Sequence, residues 1–190
     1  MPSHSELGPI MPEDGLLLQA IIRMTNPKTL VEFGHFWGAS ARIMLEAMDE
    51  DAVLHSYDNT KDSSIEGDPR FIFHRQSQEE VSGIESIDFV FLDASHDFDL
   101  NVKTFEAIMH KLSPKAIIAV HDTGTWIGGN VYNAEAGYAN DRGDWVHCPD
   151  ELKFVDWIAD TYPEFQQMHF HSSRALRHGI TLLQRYEKLT

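Results

Sequence analysis

The sequence predicts an α/β domain built on a largely parallel β-sheet. Short apolar runs alternate regularly with stretches of helical periodicity, which is typical of this class. The run Ile87–Leu92 is apolar except for Asp88, as expected for a strand covered on both faces of a parallel sheet. Acidic residues or histidines also follow several of these runs. At 190 residues, the chain is predicted to form a single domain over residues 1–190.

A leading helix is predicted at Pro12, Glu13 and Asp14, because proline and acidic residues favour the first helical turn and an apolar stretch follows. The first strand is Thr29–Phe33, which ends at Gly34. The later elements are predicted from their periodicity: a helix over 39–48, strands over 52–57, 71–73 and 87–92, a helix with the stripe Val102, Phe105, Ile108, Met109 and Leu112, a strand over 115–120, a helix through Leu152, Val155 and Ile158, and a closing hairpin of 164–170 with 180–186.

Residues 123–149 have no clear period and are rich in glycine, asparagine and aromatic residues. This stretch is too long for a simple connector, so we predict a lid or insertion that excludes water from a neighbouring site. Its large aromatic residues are Trp126, Tyr132, Tyr138 and Trp145.

The composition disfavours several classes of partner. A formal net charge of −15 repels nucleic acids and anionic membranes at long range. The single cysteine, Cys148, rules out a disulfide within the chain and fits a reducing compartment. No signal peptide and no apolar run near 18 residues is recognisable, so we expect a cytoplasmic location.

The residues that could carry chemistry follow the predicted strands. Ligands of open parallel sheets bind outside the carboxyl ends of the strands, which favours a site at this edge. The first turn lacks the G-x-G-x-x-G spacing of a dinucleotide site, so pyrophosphate binding is only weakly supported. The strand-end residues are Glu32, Gly34, Asp58, Asp93, His96, His121 and Asp122.

Several of these segments carry a family resemblance, namely Val31-Glu32-Phe33-Gly34, Ser56-Tyr57-Asp58, residues 87–96, residues 116–123 and residues 177–183. They resemble class I S-adenosylmethionine (SAM)-dependent methyltransferases, and most closely the small-molecule O-methyltransferase branch that includes macrolide-sugar and cephalosporin-associated enzymes. The resemblance implies a Rossmann-like, seven-stranded sheet in the order 3-2-1-4-5-7-6, with SAM as cofactor.

The resemblance also implies roles for individual residues. Glu32, Gly34 and Ser40 would line the methionine end of SAM, and Asp58 would hold the ribose. Gln76 or Ser77 would lie near the adenine, and Asp93 would also adjoin the cofactor. The aromatic faces of Phe36 and Trp37 would either favour the sulfonium cation or serve in packing.

In relatives that need a divalent ion, the ligands follow strands four and five, and the matching residues are Asp93, His121 and Asp122. Magnesium prefers oxygen ligands, so a histidine leaves the choice between Mg, Mn and other ions open. Neighbouring strand residues point to opposite faces, so His121 and Asp122 can share a site only if the strand has ended. His96 is placed to act either as a general base or as a capping residue.

We therefore expect a SAM-dependent O-methyltransferase that acts on a small hydroxylated molecule, with or without a metal, and forms a homo-oligomer. Three alternatives remain open. One is a nicotinamide-dependent oxidoreductase, and another is a non-catalytic cofactor-binding protein of the same fold. The third is a metal-dependent oxygenase that uses His96, Asp93 and His121.

Overall fold

The structure is a computed structural model that describes residues 10–59, 65, 67–94, 97–123, 149–171 and 179–186. It contains the helices α1 (Pro12–Thr25), α2 (Ala39–Ala47), α3 (Phe98–Ile108) and α4 (Pro149–Thr161). Its strands are β1 (Thr29–Phe33), β2 (Val53–Tyr57), β3 (Phe71–His74), β4 (Ile87–Leu92), β5 (Leu112–His121), β6 (Phe165–His171) and β7 (Gly179–Arg185). Among the described residues, none of the helices combines the length and the apolar character that a membrane span requires.

The strands form one seven-stranded sheet in the order β3-β2-β1-β4-β5-β7-β6, which confirms the predicted architecture. Strands β1 to β5 are paired in parallel, and β7 pairs antiparallel with both β5 and β6. Residues 124–148, most of the predicted lid, lie outside the described residues. The prediction of a single domain over the whole chain stays a prediction.

The sheet separates two apolar cores, and β4 contributes to both. Phe89 and Phe91 belong to the core that includes apolar residues of α1 and α2. Val90 and Leu92 belong to the core that includes Phe105, Ile108, Phe154 and Ile158 of α3 and α4. Because alternate side chains point to opposite faces, a strand between two helical layers needs apolar side chains on both faces, as residues 89–92 have. Full burial of each such side chain stabilises the fold by about 1.5–3 kcal/mol.

The predicted carboxyl-terminal end of α3 is wrong. The apolar stripe of α3 suggested a helix through Met109 and Leu112, but the helix ends at Ile108 and Met109–Lys111 form a single 3-10 turn. Leu112 is instead the first residue of β5, where it pairs with Ile87. Pro114 is the physical reason, since proline disfavours helical backbone at the residue before it and cannot continue a helix. The ladder between β4 and β5 shifts its register beside this proline.

Gly34, directly after β1, is required by its surroundings. Its φ of +96° lies in the region that favours glycine, and a Cβ at this position would lie 2.3 Å from the carbonyl oxygen of Asp93. The missing side chain therefore permits the ends of β1 and β4 to approach closely.

We predict that Gly34→Ala destabilises the protein by more than about 4 kcal/mol, because it adds a backbone clash to an unfavourable φ. Gly83 is the matched control, since its φ of +73° is also positive but a Cβ added there would have nothing within 4 Å of it among the described residues. Gly83→Ala should cost only about 1–2 kcal/mol. Urea denaturation of both variants checks this, and equal losses would contradict the importance of the close approach.

A pair of histidines joins β2 to β3 at the far side of the sheet. His55 Nδ1 lies 2.9 Å from His74 Nε2, and the Tyr57 ring stacks on His74 with centroids 4.3 Å apart. Burial lowers the pKa of both histidines below the ordinary value of 6.5, and the charge of His74 lowers that of His55 further. The folded protein therefore favours the neutral pair, in which one ring donates and the other accepts.

This pair should make the folded state less stable as the pH falls. Below pH 6.5 the histidines of the unfolded chain take up protons, whereas the folded pair, with its lowered pKa values, stays neutral to a lower pH. The stability that the pair contributes is therefore fully present above pH 6.5 and is lost as the pH falls toward the lowered pKa values of the folded pair. His74→Phe keeps an aromatic ring against Tyr57 but removes one titrating group. We predict that the free energy of unfolding falls less in this variant than in the wild type between about pH 7.5 and about pH 5.5. An identical fall in both proteins would refute the assignment.

Candidate active site at the carboxyl ends of the strands

Backbone hydrogen bonds bring the predicted strand-end residues to one edge of the sheet. The Gly34 N–H donates to the Tyr57 carbonyl at 2.9 Å, and the Asp93 N–H donates to the Phe33 carbonyl at 2.9 Å. The Asp58 N–H donates to the His74 carbonyl at 3.1 Å. These bonds continue the parallel ladders one residue beyond the strands, so the residues after β1, β2 and β4 are held in register.

Glu32 is the centre of a buried polar cluster beneath the first turn. Its side chain is fully buried, and its carboxylate accepts hydrogen bonds from Ser40 Oγ at 2.6 Å and from Ser56 Oγ. His35 Nδ1 lies 3.4 Å from the same carboxylate and 3.1 Å from Ser56 Oγ. Glu32 thus connects β1, β2 and the first turn of α2. The sequence indicated Glu32 and Ser40 but not His35 and Ser56, whose only signal was their position beside Gly34 and Asp58.

The first turn also engages Asp58. The Phe36 N–H donates to Asp58 Oδ2 at 2.9 Å, while Phe36 and Gly38 both have positive φ, 45° and 71°. The Phe36 and Trp37 rings stack with centroids 4.5 Å apart and remain 44% and 54% exposed. The structure therefore places both aromatic residues at the surface beside Asp58 rather than in the core.

The adenine candidates lie on the loop after β3. Gln76 is exposed, and Ser77 is half-buried with its hydroxyl donating to the Glu79 carboxylate. The neighbouring Gln78 points inward and donates to Asn101 Oδ1 at 3.0 Å. The loop is thus attached to α3, and the adenine contacts of Gln76 and Ser77 remain predictions.

A second polar cluster surrounds His121 at the end of β5. The His121 ring is fully buried, with Nδ1 3.1 Å from Asp93 Oδ1 and 3.5 Å from Asp122 Oδ1. On the other side of the ring, Nε2 lies 3.1 Å from Asp14 Oδ2. Three carboxylates thus face one imidazole, so these four groups together carry net negative charge whether or not the ring is protonated.

The backbone explains how His121 and Asp122 share this cluster. Strand β5 ends at His121, and Asp122 adopts a φ of 59°. This left-handed conformation ends the alternation of side chains along the strand, which is the condition that a shared site requires. Aspartate tolerates this region better than most residues.

The surroundings of His121 alter its protonation. Burial alone would lower the pKa of His121, but the charges of Asp93 and Asp122 and the hydrogen bonds to Asp14 and Asp93 together raise it well above 6.5. These contacts favour the protonated imidazole, whose positive charge partly balances the carboxylates.

Among the described residues, Asp93, His121 and Asp122 form the group suited to holding a metal ion. One donor atom from each lies within 4.8 Å of the others. Two carboxylate oxygens and one imidazole nitrogen fit Mn, Fe or Zn better than Mg, which favours oxygen donors alone. The candidate base His96 lies outside the described residues.

The sequence alone does not place Asp14 in the site, since acidic residues are common in the first turn of a helix and Asp14 lies in the first turn of α1. Its unusual property is burial, with 6% exposure, which the sequence does not reveal.

Comparisons with known proteins agree with this geometry. Residues 31–123 match the family profile described as a methyltransferase domain. TomG, an O-methyltransferase of Streptomyces achromogenes involved in tomaymycin synthesis and solved with SAM, superposes with a TM-score of 0.66 at 17% identity, covering 94% of this chain and 82% of that one. An O-methyltransferase of Bacillus cereus, solved with S-adenosylhomocysteine (SAH), superposes with a TM-score of 0.65 at 17% identity, covering 95% of this chain and 86% of that one.

The SAH-bound methyltransferase PaMTH1 of Podospora anserina gives a TM-score of 0.63 at 17% identity, covering 92% of this chain and 78% of that one. No curated protein matches the sequence. The chain thus shares the Rossmann-like fold of these solved methyltransferases, and the segment that matches the methyltransferase domain contains the carboxyl ends of β1 to β5.

We predict that Glu32→Gln destabilises the protein by about 1–3 kcal/mol, because an amide cannot accept the same set of hydrogen bonds from two hydroxyls. Glu106→Gln is the matched control, since Glu106 is exposed on α3 and its change should stay within about 0.5 kcal/mol. Chemical denaturation measures both. If Glu32→Gln were as stable as the control, the cluster would not hold the first turn together.

Proposed function

We propose that this protein is a SAM-dependent O-methyltransferase that methylates a hydroxyl group of a small molecule. The observation that carries the proposal is the match of residues 31–123 to a methyltransferase domain, because this segment begins at β1 and ends just past Asp122. It therefore contains the Glu32 cluster and the three candidate metal ligands. Solved proteins of this fold hold SAM or SAH, which supports SAM as the cofactor.

The first turn and Asp58 form the proposed cofactor site. Asp58 accepts from the Phe36 N–H through Oδ2, so its carboxylate is held at the turn, where it can also accept from the hydroxyls of a ribose. Glu32, Gly34 and Ser40 shape the turn at the methionine end. The exposed faces of Phe36 and Trp37 lie beside Asp58 and suit a cationic sulfonium. Gln76 and Ser77 follow the adjacent strand, which suits the adenine, and Asp93 borders the same edge.

The second cluster fits a divalent cation. Asp93, His121 and Asp122 supply three donor atoms, and the three carboxylates around one imidazole attract positive charge. A divalent ion held there would lower the pKa of a substrate hydroxyl and so favour its deprotonation. The mixed nitrogen and oxygen donors favour Mn over Mg.

In the proposed reaction the acceptor oxygen attacks the methyl carbon of SAM in line with the breaking carbon–sulfur bond. The products are the methyl ether and SAH, and the hydroxyl proton leaves to a base, for which His96 is the candidate. Most of the acceleration would come from holding donor and acceptor in line, which is the role of the two clusters on one rigid sheet edge. Residues 123–149 would cover the acceptor and select it.

The acceptor belongs to the small-molecule class in this proposal. A net charge of −15 disfavours nucleic acids and anionic surfaces as partners. Within the methyltransferases, the sequence resemblance favours the branch that includes macrolide-sugar and cephalosporin-associated enzymes. We also propose that the protein acts in the cytoplasm as a homo-oligomer.

The test is calorimetric titration of SAM into metal-free protein, repeated with Mg²⁺ and with Mn²⁺. Asp58→Asn should weaken SAM binding about 10- to 100-fold, because it removes charged hydrogen bonds of about 1.5–3 kcal/mol while the amide oxygen still accepts from Phe36. Asp156→Asn, an exposed change on α4 with the same loss of charge, should bind SAM normally.

Other outcomes would favour the alternatives. Absence of SAM binding under all conditions would refute the proposal, and binding of NADH instead would favour an oxidoreductase. SAM binding without methyl transfer to any hydroxylated acceptor would indicate a non-catalytic binding protein. Iron in the purified protein together with oxygen consumption would indicate an oxygenase that uses His96, Asp93 and His121.

A further inference from the structure

We propose that Asp14 is a positioning residue that orients His121 so that its Nδ1 atom faces the cation site. This inference rests on the cation site of the proposed function. Nothing in the sequence pattern links the two residues, which are 107 positions apart, yet Asp14 Oδ2 lies 3.1 Å from His121 Nε2. The leading helix α1 thereby becomes a part of the site rather than a neighbouring support.

The two nitrogens of the His121 ring face different partners. Nε2 faces Asp14, whereas Nδ1 lies 3.1 Å from Asp93 and 3.5 Å from Asp122. A carboxylate can only accept a hydrogen bond, so a proton on Nε2 donates to Asp14 and a proton on Nδ1 donates to Asp93. A cation held beside Asp93 and Asp122 would take the place of the Nδ1 proton and leave the Nε2 proton hydrogen-bonded to Asp14. A neutral ring that keeps this proton presents its Nδ1 lone pair on the side of Asp93 and Asp122. This is the nitrogen that completes a three-donor site.

The opposite tautomer would be unfavourable once a cation is bound. A proton on Nδ1 would leave the Nε2 lone pair facing the buried Asp14 carboxylate, whereas a lone pair on Nδ1, between Asp93 and Asp122, would be stabilised by the cation. His121 is fully buried and Asp14 is 6% exposed, so little water is available to relieve the conflict at Nε2. In the cation-bound site Asp14 therefore fixes the tautomer as well as the plane of the ring. Carboxylates that accept from the outer nitrogen of a metal-bound histidine act in this way generally.

The fold holds Asp14 in place. It lies in the first turn of α1, whose residues Leu18, Ile21 and Ile22 belong to the same core as α2. A Cβ on the neighbouring Gly15 would lie 3.0 Å from Ile43 Cδ1, so α1 and α2 are in close contact at this turn. Asp14 consequently reaches the site from a rigid element, which suits an orienting role.

The experiment measures Mn²⁺ binding to metal-stripped protein by the electron paramagnetic resonance signal of free Mn²⁺. Asp14→Ala should weaken binding about 10- to 100-fold, the usual cost of losing such a partner. Asp14→Asn should recover most of the affinity, because its amide oxygen can accept the same proton. Glu13→Ala is the matched control, since Glu13 is an exposed acid in the same helical turn and tests the effect of charge alone.

A second measurement reads the tautomer directly. Nitrogen NMR of histidine-labelled wild type with Zn²⁺ should show His121 Nε2 carrying the proton, and Asp14→Asn should preserve this signal. A protonated Nδ1 in the Zn²⁺-bound protein would overturn the inference, and so would wild-type affinity in Asp14→Ala. If Asp14→Ala failed to fold, the NMR signature and the Asp14→Asn titration would decide the question.

The outcomes separate this inference from the proposed function. If the wild type bound SAM but no Mn²⁺ or Zn²⁺, the cation site and the role of Asp14 would both be wrong while the methyltransferase assignment stood. If the wild type bound Mn²⁺ and all Asp14 variants matched it, only the role of Asp14 would be wrong. Absence of SAM binding alone would refute the proposed function and leave the metal titrations interpretable.

Discussion

The close approach of two strand ends at Gly34 is the constraint on which the rest of the site depends. Strand β1 lies between β2 and β4, and its last residues bond to both. Any side chain at Gly34 would collide with the Asp93 backbone, so the first turn and Asp93 can adjoin each other only because glycine stands there. The proposed cofactor site and the proposed cation site are therefore joined through one residue without a side chain.

Around Gly34 the protein has two buried polar clusters that differ in their electrostatic character. In the Glu32 cluster, two hydroxyl groups donate hydrogen bonds that stabilise the charge of the one carboxylate at its centre. The His121 cluster contains three carboxylates and one imidazole, so it retains negative charge in a region of low exposure. Burying charge in this way is costly unless a cation offsets it. The first cluster therefore suits a structural role, and the second suits a binding role.

The sequence predicted much of this arrangement because periodicity and strand-end residues are local signals. The sheet order, which followed from the family resemblance, and nearly all elements are confirmed. The structure also places Glu32, Gly34, Asp58, Asp93, His121 and Asp122 at the carboxyl ends of the strands, because parallel strands end at the same edge of the sheet. Their functional roles stay predictions, and His96 lies outside the described residues. The predicted end of α3 was wrong because apolar residues continue at helical spacing past Ile108, whereas Pro114 prevents the backbone from continuing as a helix. Asp14 was not predicted as a site residue because its burial arises from tertiary packing, which the sequence of a first helical turn does not reveal.

The contact between Asp14 and His121 also has a consequence for how the protein is made. Asp14 is synthesised 107 residues before its partner. At about 5–20 residues per second, α1 must wait roughly 5–20 seconds before His121 exists. During that interval Asp14 has no imidazole partner, so the contact cannot hold α1 against the sheet. The site can therefore be completed only after β5 has been synthesised, and its assembly requires α1 to dock on the end of that strand.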